Sequence, residues 1–219
     1  MLNTAGGVTG GDEFAYRIEA EAGGCLSLAT QTAERAYRAQ PGQTGQILTH
    51  LTAQQTARID WLPQETILFD GCSLSRKLDV ELSDQSTLLA VEPLVLGRKA
   101  MGERLNHIFF SDTWRIRQNG RLVFADSLRL KGPGVELINR PAVLAGAGAM
   151  ATILLVAETA DRHLSALRYV LPDHAGASIV RPGVLVARIV AMDGFALRTA
   201  LIPIVELLRG APLPTVWKM

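Results

Sequence analysis

Side chains that bind metals or carry redox chemistry are scarce in this sequence. Among 219 residues there are two cysteines, Cys25 and Cys72, and four histidines, His50, His107, His163 and His174. The cysteines form no CxxC pair and the histidines no HxH or HExxH, so no zinc knuckle and no clustered metal site is encoded locally. Two distant cysteines without an export signal fit free thiols in a reducing compartment. A GxSxG elbow and a local Cys–His arrangement are also missing, which leaves no motif for nucleophilic catalysis.

Charge of one sign is equally absent. Twenty-two basic against 21 acidic side chains leave a net charge of +1, and the arginines alternate with apolar or acidic neighbours. A nucleic-acid binder would gather a basic excess on one face, so duplex binding is not expected. Long hydrophobic runs are missing too. The best candidate, residues 141–157, carries no charge but opens with Pro141 and is broken by Gly146 and Gly148. A spanning helix needs roughly 17–25 apolar residues, and the dense part here, from Met150 to Ala157, suits a buried strand; no membrane span is expected. Two glycine-rich stretches lack what a phosphate site requires. Residues 6–11 have no Lys-Ser/Thr, and residues 146–151 lead towards a strand instead of the helix N-terminus that would face a pyrophosphate.

What is present is alternation. With 48% hydrophobic and 20% charged residues the chain reads as an ordinary globular protein with a sizeable core. Up to about residue 140 the dominant period is two, the mark of half-buried strands. In residues 13–21, Phe14, Tyr16, Ile18 and Ala20 share a face. Gly23-Gly24 turns the chain into a strand over 25–30, and Pro41-Gly42 precedes another over 46–52. Residues 74–82 alternate Leu74, Arg76, Leu78, Val80 and Leu82. Residues 88–96 are apolar apart from Glu92 and predict a strand buried on both faces. Asn119-Gly120, between residues 114–118 and 121–124, predicts a hairpin with a type I′ turn.

From about residue 141 the texture becomes mixed β/α. Strands are expected over 150–157 and 184–191, and a helix over 161–170 with Asp161 as its cap. A last helix over 195–209 is capped by Asp193 and ended by Gly210, with Pro203 inside it expected to kink it. Leu197, Leu201, Ile204 and Leu208 form its apolar stripe. No repeat of fixed period and no linker divides the chain, which reads as one β-rich domain, residues 1–219, with helices near its C-terminus.

One segment, WLPQETILFDG over residues 61–71, sets Glu65 and Asp70 among bulky apolar residues. Carboxylates so placed must be paired, hydrogen-bonded or hydrated. Either they are ordinary salt-bridged or capping acids, or they handle a cation or a partner; Glu92 and Glu103 raise the same choice.

These blocks resemble the urease accessory protein UreD (UreH) family. The resemblance rests on LNTAGGVTGGD over 2–12, TQTAERAYR over 30–38, WLPQETILFDG over 61–71, LGRKAMGE over 96–103 and RIVAMDGFALRTAL over 188–201. They fall in order along almost the whole chain. Family chains usually carry a further segment before the glycine-rich block, which this chain is expected to lack, or to show as missing through a late start. The resemblance implies a stacked, β-helix-like arrangement of strands and a cytoplasmic protein that is not an enzyme. It further implies that the protein joins UreF and the GTPase UreG on apo-urease, where nickel is inserted at the expense of GTP. On that footing no cofactor is tightly bound and nickel is in transit. Asp12, Glu65, Asp70, Glu92 and Glu103 are then expected to line a hydrated route or a partner-facing surface. The stripe Leu197, Leu201, Ile204 and Leu208 either packs on the β domain or docks UreF. The competing reading is a β-rich binding module unrelated to urease.

Overall fold

A computed structural model describes residues 1–98 and 101–218. The period-two segments wind into stacked coils. The first coil holds β1 (Glu13–Ala20), β2 (Cys25–Leu28) and β3 (Glu34–Ala36), and the second β4 (Gly45–Ala53), β5 (Arg58–Trp61) and β6 (Thr66–Leu68). The third holds β7 (Ser73–Leu82) and β8 (Thr87–Leu96). Each coil sends its first strand to one sheet and its later strands to the other, so equivalent strands of successive coils pair in parallel: β1 with β4, β4 with β7, β2 with β5, β5 with β8. Parallel pairing reached by crossing to the facing sheet, with no helix between, is solenoid geometry. Coil length varies, since Glu13 meets Gln46, Gly45 meets Leu74 and Ser73 meets Phe109. That is why the sequence shows no fixed period.

The corners between sheets stack as well. Gly23, Thr56 and Gln85, at the ends of β1, β4 and β7, all have positive φ, and Gly23 and Thr56 donate their backbone N–H to Gln55 and Asp84 of the coil above. The N-terminal glycine-rich stretch lies on the same stack. Val8 bridges Ala36, and Gly45 is free of a side chain because a Cβ there would fall 2.5 Å from the Thr9 carbonyl oxygen.

The stack is closed by the predicted hairpin. β9 (Ile108–Gln118) pairs parallel to β7, and β10 (Arg121–Gly132) returns antiparallel through Asn119 and Gly120, at φ 51° and 73°. This completes a five-stranded sheet in the order β1-β4-β7-β9-β10. After the short α1 (Gly134–Asn139) come β11 (Ala149–Val156), β12 (Ala175–Arg181) and β13 (Val184–Ala191), all antiparallel. β11 adds to β8, so the mixed α/β portion continues the sheet begun by the coils.

Two predicted helices carry corrections. The segment over 161–170 is a 3₁₀ turn, Ala160–His163, followed by α2 (Leu164–Val170), and Asp161 is not the cap. Its carboxylate instead accepts the Gly183 backbone N–H at 2.7 Å, tying the turn to the β12–β13 hairpin. The last helix, α3 (Gly194–Arg209), has Asp193 accepting from the Ala196 N–H and Gly210 in the left-handed region. It runs through Pro203 as one element. Leu197, Leu201, Ile204 and Leu208 are buried with Leu89, Val91, Ile153 and Leu185 on the outer face of the second sheet. Of the two alternatives for this stripe, the structure has it packed on the β domain, and a partner would reach these four residues only if the helix left its sheet. What α3 exposes instead is Phe195 at its first turn. Among the described residues no helix is long and apolar enough to cross a membrane.

Candidate functional site

Between the two sheets the inward positions should be uniformly apolar, and at one level they are not. β7 places Leu74, Arg76, Leu78, Val80 and Leu82 inward, and β9 places Phe110, Asp112, Trp114 and Ile116. Register sets Arg76 directly beside Asp112. From the facing sheet, β8 contributes Glu92. One guanidinium thus meets two carboxylates, Nη1 donating to Glu92 Oε2 and Nη2 to Asp112 Oδ2, each at 2.6 Å. Thr66 Oγ1 accepts from Nη1 at 2.9 Å. The indole N–H of Trp61 donates to Glu92 at 2.8 Å and that of Trp114 to Asp112 at 3.3 Å. Arg76 Nε finds no partner among the described residues.

This polar layer divides the inter-sheet core in two. One apolar cluster gathers Leu51, Ile59, Val80 and Ile116, the other Leu68, Leu74, Phe110 and Leu130. Burying three charges is costly unless each is paired, and the geometry pairs them closely. Electrostatics inside the layer are strongly coupled. Burial pushes Glu92 above the ordinary carboxylate range, with the nearby Asp112 charge adding to it and Arg76 and Trp61 opposing. Burial works against the charged form of Arg76, but Asp112 and Glu92 outweigh it and hold the guanidinium protonated.

Small cavities flank the layer. On one side a space of about 40 Å³ is lined by Tyr16, Thr30, Glu34 and Trp61 as well as the charged triad. On the other a space of about 10 Å³ reaches Asp126, Leu128, Met150 and Thr152. Openings of this size hold about one water to a few. The first shares Tyr16, Thr30 and Glu34 with the lining of a cleft beside Asn3 and Arg35. The second adjoins a surface cleft at Asp126, where Asp126 pairs with Arg188 of the facing sheet. An acid therefore stands at each stage across the molecule: Glu34, then Glu92 with Asp112, then Asp126.

Of the five acids proposed from sequence, only Glu92 lies in this seam. Asp12 closes a turn, its carboxylate accepting the Thr9 N–H at 2.8 Å. Asp70 and Glu103 are brought together in a second cluster on the surface. Asp70 accepts the backbone N–H of Asn106 and His107 at 2.6 and 3.1 Å and pairs with Arg38. Glu103 accepts the Asp70 N–H at 3.2 Å and binds Arg98. For Asp70, partial burial works upward but the two backbone donors and Arg38 prevail, and its pKa is lowered. The Arg98 hydrogen bond leads in lowering that of Glu103. Cys72 lies beneath this cluster, its thiol pushed up to about 12 by burial, and Cys25 is exposed; neither is in a disulfide. Glu65 stands apart on the rim of an apolar groove formed with Ile67, Val95, Met192 and Phe195, 4.0 Å from Arg198. Among the described residues no three His, Cys, Asp or Glu side chains converge as a metal cage.

Arg76, Asp112, Glu34 and Asp126 escaped the sequence reading. The signal for two of them was legible: an arginine in the apolar register Leu74-Arg76-Leu78-Val80-Leu82 and an aspartate in Phe110-Asp112-Trp114-Ile116 are charges on core faces.

Stacked coils enclosing a charge-lined seam define a β-solenoid-like protein whose distinctive chemistry is internal and polar. Comparison with known sequences narrows this. A sequence model of the UreD urease accessory proteins matches residues 1–218. The urease accessory protein UreD of Ruegeria pomeroyi is 49% identical over 217 residues, spanning 99% of this chain and 84% of the relative. Those of Rhizobium leguminosarum bv. viciae and Agrobacterium fabrum are each 46% identical over 220 residues, covering all of this chain and 80% and 77% of the relatives. The chain belongs to the UreD urease accessory protein family, which sets aside a binding module unrelated to urease.

Proposed function

We propose that this protein is a non-catalytic scaffold of urease maturation through whose inter-sheet seam nickel passes towards apo-urease. The observation that carries this reading is the file of small cavities on either side of Arg76, Glu92 and Asp112, with a carboxylate at every stage. A carrier must hold its ion weakly. Nickel(II) is a borderline cation that favours imidazole and thiolate ligands. Isolated carboxylates with waters between them therefore offer it weak, successive partial coordination, whereas a cage of imidazoles and thiolates would retain it. The sparse histidines and cysteines fit that requirement.

In this reading UreF and UreG assemble with the chain on apo-urease in the cytoplasm, GTP hydrolysis on UreG drives insertion, and no cofactor stays bound. The surface acids Asp70 and Glu103 keep the loops around them in place, and Asp12 holds its turn; transport rests on Glu34, Glu92, Asp112 and Asp126. The test is urease maturation in cells lacking the native gene, complemented with the full chain or with Glu92→Gln/Asp112→Asn. Assembly with UreF, UreG and urease is followed by co-purification. The double variant is expected to assemble and to lower nickel-dependent urease activity at least tenfold. Normal activation by that variant would remove the seam from the mechanism.

A further inference from the structure

Among the described residues, Arg76, Glu92 and Asp112 alone line both central cavities. The ion-paired triad is therefore the partition between them. Resting on the reading that a cation travels along the seam, we propose that Arg76 is a displaceable resident cation that closes the passage, and that a divalent metal opens it by taking Glu92 and Asp112 from the guanidinium.

How Arg76 is held supports this. Two other arginines, Arg168 and Arg198, grip backbone carbonyls, that of Ala177 and those of Val216 and Trp217. Arg76 has only side-chain acceptors, namely Glu92, Asp112 and Thr66. Its Nε has no partner among the described residues, so the group is tethered at its tip. The Phe110 ring, 5.1 Å from Cζ, offers the released guanidinium a resting face. Two carboxylates facing one monovalent cation leave the triad one negative charge in excess when both are ionised. A dication competes for those oxygens with twice the charge of the guanidinium. Water lacks that advantage because separating a buried ion pair without replacing its charge is strongly unfavourable, and a monovalent ion only matches the charge of the guanidinium it would have to displace. The closed state is thus the default, and opening is specific to multivalent cations.

The indole groups provide the readout. The chain has three tryptophans. Trp61 and Trp114 donate to Glu92 and Asp112, whereas Trp217 donates to the Leu62 carbonyl. Nickel chloride titrated into the full wild-type chain at pH 7 should broaden the Trp61 and Trp114 indole N–H resonances ahead of Trp217. In Arg76→Gln the carboxylates stand open, so the nickel dissociation constant should fall at least tenfold and nickel should raise the melting temperature. Both gains should vanish in Arg76→Gln/Glu92→Gln/Asp112→Asn. Trp217 responding first or equally in the wild type, or a folded Arg76→Gln with unchanged affinity, would overturn the gate. If Arg76→Gln does not fold, the wild-type titration still decides. Should Glu92→Gln/Asp112→Asn mature urease normally, the passage itself fails; should maturation be lost while Arg76→Gln leaves nickel binding unchanged, the gate alone fails.

Discussion

Two of the clusters in which acids meet arginines, the seam around Arg76 and the loop cluster around Asp70, have opposite characters set by their surroundings. In the seam, Arg76 has a side chain 8% exposed and Glu92 one 11% exposed. At the surface, Arg38 is 69% exposed opposite Asp70. Coulomb attraction at similar separation is several-fold stronger where water is excluded, and so is the penalty for leaving a charge alone. The seam is thus a poised arrangement in which every partner depends on the others. The surface cluster is a loop fastening whose strength lies in backbone hydrogen bonds. Charge density alone would not separate the two; burial does.

The contrast can be broken most directly at Arg76. Arg76→Met strands two carboxylates and should cost about 3–5 kcal/mol in urea unfolding. Adding Glu92→Gln and Asp112→Asn should return most of that loss. A single Arg76→Met change costing less than about 1 kcal/mol would show that the seam is as wet as the surface. Asp70→Ala comes next. Depriving the Asn106 and His107 N–H groups of their charged acceptor should cost about 1.5–3 kcal/mol, read from the same unfolding curves.

Acid titration sharpens the difference further, because the two clusters respond with opposite sign. The folded pKa values of Asp70 and Glu103 lie below their unfolded values. Their contribution is present above the ordinary carboxylate range and is lost as pH falls through the lowered folded values. That of Glu92 is raised, so the folded state binds the extra proton, and its contribution declines as pH rises from the ordinary glutamate value through the raised one. Urea midpoints measured against pH should therefore lose part of their acid-side fall in Glu103→Gln and part of their decline above the glutamate range in Glu92→Gln. The smallest effect is expected at Arg38. Arg38→Ala should change stability by less than about 1 kcal/mol, since an exposed partner is screened by water and salt; a larger loss would mean that the surface cluster is sealed from solvent in solution.

Much of the architecture could be read before the chain was folded. Alternation over residues 13–21, 46–52 and 74–82 marked β1, β4 and β7 to within a residue or so at each end, because strand period is a local property. Asn119-Gly120, Asp193 and Gly210 marked a turn and two helix ends for the same reason. Asp161 misled, since a capping aspartate and one that ties down a neighbouring hairpin look identical in sequence. The leucine stripe of α3 was visible as a stripe, but whether it met the sheet or a partner depended on the second sheet having an open apolar face.

The candidate site was much less legible. Periodicity assigns each residue to a face; it does not say which strands become neighbours or in what register. Asp112 lies 36 positions beyond Arg76 and Glu92 arrives from the opposite sheet. Their meeting is a consequence of coil length and stacking, quantities spread over whole turns of the solenoid. From the sequence alone came most of the strands, the ends of the last helix and one charge, Glu92, within a buried run. Which charges share one buried layer, and which acids merely fasten loops, was decided by tertiary structure, because only packing brings distant inward positions to the same depth and removes the water between them.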